Sequence, residues 1–132
     1  MQILFFNKHN KDISGLIDAD VIKAYKIKVS SSKNYLSFRN ELSKSFSGET
    51  IIVFFIEDSG DLNFIEKNYH NFIDIKLIIK SYLNSEQYSR RILNLNPRMI
   101  VDSLDIDNSE LKQIIAGIIK EFFKKNNYRG KK

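Results

Sequence analysis

Four short polar pairs stand where apolar runs end. Asn7-Lys8 follows Gln2 to Phe6, Glu57-Asp58 follows Ile51 to Ile56, Lys80-Ser81 follows Ile75 to Ile79, and Asp102-Ser103 follows Met99-Ile100-Val101. Carboxylates, amines and hydroxyls that converge from such positions could hold a cation or a phosphoryl group. The loop Glu57-Asp58-Ser59-Gly60-Asp61 is the most acidic of them. Calcium would need several more oxygen ligands at set spacing, so the plainer reading makes Asp61 the cap of a following helix. The histidines are His9 and His70. His9 lies beside the first polar pair and could act as a base, but no nucleophile stands next to it. His70 has no companion at ligand spacing and reads as a surface residue. The chain lacks cysteine, a Gly-x-Gly-x-x-Gly run and a Walker A run. Thiolate metal sites, cysteine nucleophiles and glycine-loop nucleotide sites are thereby set aside, and no catalytic residue, metal or cofactor is assigned.

The elements that must position these pairs alternate along 132 residues, a length suited to one domain. Gln2 to Phe6 reads as a first strand. Asn10 or Asp12 can cap a weak helix carrying Ile13, Leu16, Ile17 and Val21, weakened further by Gly15. Tyr25-Lys26-Ile27-Lys28-Val29 alternates with period two, which suits an edge strand with lysines outward. Serines 30–32 then offer a cap for a helix with Tyr35, Phe38, Leu42 and Phe46 on one stripe, ending near Gly48.

Ile51-Ile52-Val53-Phe54-Phe55-Ile56 is uninterrupted and apolar, the pattern of a strand covered on both faces at the centre of a parallel sheet. A third helix follows with Leu62, Ile65, Tyr69 and Phe72, then a strand over Ile75 to Ile79. Asn84 or Ser85 caps a fourth helix with Tyr88, Ile92 and Leu95 inward, and Pro97 ends it. Met99 to Val101 is a fifth strand. Asp107-Asn108-Ser109-Glu110 reads as a capping box opening a last helix with Leu111, Ile114, Ile115, Ile118, Ile119, Phe122 and Phe123. Five strands alternating with five helices predict an α/β, flavodoxin-like (βα)5 sandwich with a parallel sheet in the order 2-1-3-4-5. The domain would cover residues 1–125, with 126–132 as a basic tail.

The net charge of +5 is concentrated at one end of the chain. Residues 120–132 carry Lys120, Lys124, Lys125, Arg129, Lys131 and Lys132 against Glu121 alone, which leaves 15 basic and 15 acidic residues in the rest. A neutral body argues against an extended phosphate-tracking surface, so nucleic acid is disfavoured as a partner. The lysines equally complement a helix C-terminus. No apolar run approaches the roughly 20 residues that span a bilayer, and the start lacks a signal-peptide pattern. A cytoplasmic, membrane-free location is expected.

Element order and length resemble the receiver domain of bacterial response regulators. That resemblance implies an aspartate receiving a phosphoryl group after the third strand, an acidic pair holding magnesium after the first, Ser or Thr after the fourth, and Lys after the fifth. This chain departs from that pattern at nearly every point. Asn7 and Lys8 replace the acidic pair, the acceptor place falls on Glu57 or Asp58, Lys80 or Ser81 ends the fourth strand, and Asp102-Ser103 ends the fifth. Lysine and aspartate have exchanged strands. Lysines facing two or three carboxylates would form a fixed ion-pair cluster where metal and phosphoryl group would sit. The implied function is a pseudo-receiver, a signalling module that works by protein contact without phosphorylation. A receiver phosphorylated on Asp58 and a nucleic-acid-associated protein using the basic tail are the alternatives. In receivers the face of the fourth helix, fifth strand and fifth helix binds partners or a second copy; here it would offer Tyr88, Arg90, Arg91, Arg98 and Lys112. Arg and Tyr are residue types that anchor interfaces. Neighbouring domains of a longer chain would be candidate partners too.

Overall fold

The computed structural model describes residues 1–9, 11–44, 49–72, 75–83, 85–95, 97, 99–101 and 108–130. Strands β1 (Gln2–Phe6), β2 (Lys28–Ser32), β3 (Thr50–Ile56), β4 (Lys76–Ser81) and β5 (Met99–Val101) form one parallel sheet in the order β2-β1-β3-β4-β5. Helices α1 (Ala19–Tyr25), α2 (Tyr35–Ser43), α3 (Ser59–Lys67), α4 (Glu86–Asn94) and α5 (Ser109–Gly130) connect and cover it. The fold is flavodoxin-like, as the alternation of the sequence predicts. Among the described residues no helix is long and apolar enough to cross a membrane.

The period-two geometry of strands divides the core in two. Ile52, Phe54 and Ile56 of β3 join Leu4, Phe6, Leu77 and Ile79 against Phe38 of α2, Leu62 and Ile65 of α3, and Ile92 of α4. Ile51, Val53 and Phe55 face the other way, with Ile3, Phe5 and Ile78, against Leu111, Ile115, Ile118 and Ile119 of α5. Every residue from Ile51 to Ile56 is buried, so the unbroken apolar run is what a doubly covered central strand requires.

Several boundaries differ from the sequence reading. Helix α1 starts at Ala19, because Asp18 caps it by accepting from the Asp20 N–H. Upstream, Asp12 instead accepts from the Ser14 N–H (2.9 Å) and Oγ–H (2.6 Å), and Gly15 takes φ +80°. That local turn competes with a helix, yet Ile13, Leu16 and Ile17 still pack on the α5-side core from a loop. Tyr25 ends α1 rather than opening a strand, Lys26 turns the chain in the left-handed region (φ 54°), and β2 starts at Lys28. Serines 30–32 therefore pair with Leu4, Phe5 and Phe6 of β1, and the cap of α2 is Asn34, accepting from Ser37 N–H. Helix α2 ends at Ser43, while Phe46 and Gly48 lie outside the described residues. Tyr69 is exposed in a short 3-10 helix, Tyr69–Phe72. Strand β4 continues two residues past Ile79, and Ser85 caps α4. The capping-box reading at 107–110 involves Asp107, outside the described residues.

Phe54 lies fully buried between Phe6 (stacked, 4.4 Å) and Phe38 (edge-on, 5.5 Å). Urea denaturation of Phe54→Ala should show a loss of about 3–5 kcal/mol. Leu36→Ala, on the exposed face of α2 (68% accessible), should stay within about 0.5 kcal/mol of the parent.

Candidate functional site

The carboxyl ends of β1 and β3 bring Asn7, Lys8, Glu57 and Asp58 together, and the first turn of α3 adds Asp61. Asp58 is the N-cap of α3, accepting from the Asp61 N–H at 3.0 Å. Asp61 is the third helical residue and returns the bond, completing a capping box. The cap is thus Asp58 rather than Asp61, because the strand ends at Ile56 and the helix begins at Ser59.

Asp61 is fully buried and accepts from four donors. Lys8 Nζ (2.9 Å) and Tyr35 Oη–H (2.7 Å) reach Oδ1; the Glu57 N–H (2.9 Å) and, more weakly, the Asp58 N–H (3.4 Å) reach Oδ2. An isolated buried carboxylate would be very costly, and these charged and backbone donors replace its water. Lys8 Nζ also meets Asp58 Oδ2 at 2.5 Å, so one ammonium bridges both carboxylates of the capping box. Tyr35 is carried into place by an aromatic stack. Its ring lies 5.3 Å from Phe6 and 4.6 Å from Phe64, centroid to centroid.

The electrostatics follow the geometry. Partial burial would push the Lys8 ammonium down, but its bonds to Asp58 and Asp61 outweigh that and hold it well above the usual lysine range. The bond from Lys8 holds Asp58 below the usual carboxylate range. Burial, and then the bond to Asp61, push the Tyr35 phenol up to about 12.

A second group lies beside the first. Glu57 Oε1 meets Lys11 Nζ at 3.1 Å, and its Oε2 lies 3.3 Å from His9 Nε2 without an aligned hydrogen bond. Lys11 Nζ stands over the Tyr82 ring at 4.3 Å, a cation–π contact. Burial works against its charge, and Glu57 together with Tyr82 raises it on balance. Asn7 is buried and closes the loop between these lysines, donating to the Lys11 carbonyl (2.7 Å) and accepting from the Lys11 N–H (2.9 Å). The loop places Lys11, which the sequence reading did not single out, on the carboxylate of Glu57.

Lys80 is buried at the end of β4 on the α5 side of the sheet and bonds Asn108 Oδ1. Ser81 is buried and its Oγ accepts from the Leu83 N–H at 3.1 Å. Asp102, Ser103 and Arg98 lie outside the described residues. On α4, Arg91 reaches across to Glu66 and Asn63 of α3 and packs near Tyr88, while Arg90 pairs along the helix with Glu86 at 3.0 Å. Arg91 therefore ties α4 to α3. Lys112 is exposed on α5, and His70 is exposed in the 3-10 turn.

No family model, curated protein or solved structure matches this chain. Among the described residues no three Asp, Glu or His side chains converge in a way that would hold a metal ion.

The raised Tyr35 makes one pH prediction. A phenol held protonated by the fold stabilises fully below its ordinary value near 10, and that contribution fades as pH rises toward about 12. Absorbance at 295 nm should resolve one late-titrating tyrosine that is lost in Tyr35→Phe. The depressed Asp58 works at the opposite end: its contribution is present above the ordinary Asp value near 4 and is lost as pH falls through its folded value. Unfolding free energy measured from pH 6 to 2 should therefore fall less steeply in Lys8→Met than in the parent.

Proposed function

We propose that this chain is a receiver-like module without phosphoryl chemistry, acting through protein contact in a regulatory setting. The observation that carries the reading is the position of Lys8. Its ammonium lies 2.5 Å from Asp58 and 2.9 Å from Asp61, among the oxygens at the ends of β1 and β3 where the resemblance calls for magnesium. A fixed ammonium supplies positive charge but has no open coordination positions to take a phosphoryl oxygen. The donor set does not fit a divalent cation either, since Asn7 and Lys8 stand where two carboxylates are implied and Asn7 is engaged with Lys11. A phosphoryl group on Asp58 would also have to break the bonds that Asp58 makes to Lys8 and to the Asp61 N–H.

The contact role draws on what remains outside the core. Arg90 and Leu93, the latter 63% accessible, lie three residues apart on one side of α4, and Lys112 is exposed on α5. With Arg91 committed to Glu66, these residues and the half-buried Tyr88 are among those that α4 and α5 offer a partner.

Incubation with acetyl phosphate and magnesium, followed by intact mass, should give no added phosphoryl group. Amide shifts at Glu57, Asp58 and Asp61 should not move with magnesium in the parent, and should begin to move in Lys8→Ala, where the carboxylates lose their built-in cation. A phosphoryl gain in the parent that disappears in Asp58→Asn would overturn the reading.

A further inference from the structure

The end of the sheet opposite the carboxylate cluster carries a different charge pattern. Between Asp20 and Glu41 the sequence has no acidic residue, and it places Lys23, Lys26 and Lys28 within six positions. These lie in the last turn of α1, at its left-handed cap and at the first residue of the edge strand β2, and all three are exposed. The second basic run, starting at Lys120, lies about 100 residues away in sequence. Right-handed crossovers bring the two together, since α1 and α5 cover the same face and both run back toward the amino ends of the strands. The joint is explicit: the Tyr25 ring stacks on Phe123 at 4.1 Å with 19° between planes. Lys120 and Lys124 flank Phe123 on exposed positions of α5, and the helix continues through Lys125 and Arg129.

The neutral sum over residues 1–119 therefore conceals a segregated basic end. Among the described residues, none of Lys23, Lys26, Lys28, Lys120 and Lys124 has a carboxylate within ion-pair distance. Elsewhere Lys8, Lys11, Lys44 and Lys76 are paired, while among the described residues Lys33, Lys67 and Lys112 are not. Of the described acidic residues near this end, Glu49 is taken by Lys76 at 3.2 Å, and Glu121 lies on α5 between the two lysines. At its centre Tyr25 remains 43% accessible, with Val29 of β2 exposed beside the same face.

We propose that this end of the domain binds the phosphate backbone of single-stranded nucleic acid. The surface combines exposed lysines of α1, its cap, the start of β2 and α5 with an accessible aromatic ring. Lysine acts as a point charge that neutralises phosphate without reading sequence, and an aromatic ring offers a base a stacking partner. An interface with an acidic protein would favour bidentate arginines, and the described basic side chains of this face are lysines.

The test is fluorescence anisotropy of the full 132-residue chain with labelled 20-nucleotide single strands of RNA and of DNA, from 25 to 300 mM salt. Binding should be sequence-tolerant and weaken steeply with salt, each neutralised phosphate contributing about 0.7 to the log–log slope. Lys26→Gln with Lys28→Gln should reduce that slope by about 1.4, as should Lys120→Gln with Lys124→Gln. Lys33→Gln, at the other end of β2, should leave it unchanged. Tighter binding of one of the two strands assigns RNA or DNA as the source. Binding that is absent at 25 mM salt would overturn the proposal, as would a slope unaffected by either double substitution. Equal binding of a poly-glutamate peptide, lost in the same variants, would reassign the face to an acidic protein and overturn it too.

Discussion

The architecture at the strand ends turns on one buried carboxylate. Asp61 has no access to water, so its charge persists only through the donors around it: Lys8 from the end of β1, Tyr35 from the start of α2, and the backbone amides of Glu57 and Asp58 after β3. Three segments far apart in sequence are fixed relative to one another by satisfying one group. Removing any donor leaves charge uncompensated in an apolar setting, a penalty larger than the net value of the bond that is lost. That asymmetry makes the arrangement rigid. The aromatic stack of Phe6, Phe54, Phe64 and Tyr35 supports it from below, because it sets where the phenol oxygen can go.

The same constraint is what supports the proposal of a fixed module rather than a metal-loaded switch. A switch at this place would draw on a removable cation and on side chains with two stable arrangements. Here the cation is covalently part of β1's loop, and Lys11 with Glu57 repeats the device alongside. Farther along α3, Arg91 ties α4 to that helix through Glu66. Two ion-pair groups thus stand at the carboxyl ends of the strands, and Lys76 with Glu49 forms a single pair at the amino ends. The lysines around Tyr25 and Phe123 are left to solvent, so the two ends of one sheet have different electrostatic characters.

Much of the fold was legible because hydrophobic periodicity is a strong signal where burial is complete. Ile51 to Ile56 announced a central strand, and the spacing of Leu111, Ile115 and Ile118 announced the covering helix. The region from Asp12 to Ser32 was less legible. There the apolar residues suit a helix, but a side-chain turn at Asp12, Gly15 at positive φ and Lys26 in the left-handed region decide the boundaries. Those are local hydrogen-bond and dihedral effects that periodicity does not carry. At the site, Lys8 and Asp58 stood out as strand-end residues, and the Asp58-x-x-Asp61 spacing held the capping box in plain view. Tyr35 and Lys11 were not legible as site residues. Their roles depend on long-range placement, 26 residues from Tyr35 to Asp61 and 46 from Lys11 to Glu57, which only the closed sheet provides. The basic run from Lys120 was legible in the sequence, but its meeting with Lys23, Lys26 and Lys28 was not, since charge summed along the chain erases where the charges meet.

Lys8 serves as the built-in counter-ion of buried Asp61. A double-mutant cycle on unfolding free energy, using Lys8→Met, Asp61→Asn and the pair, tests it most directly. The account predicts a coupling of about 1.5–3 kcal/mol for Lys8 with Asp61, and less than about 1 kcal/mol for Lys8 with the more exposed Asp58. Additive effects of Lys8→Met and Asp61→Asn would contradict it, and would mean that Asp61 is held by Tyr35 and the backbone alone.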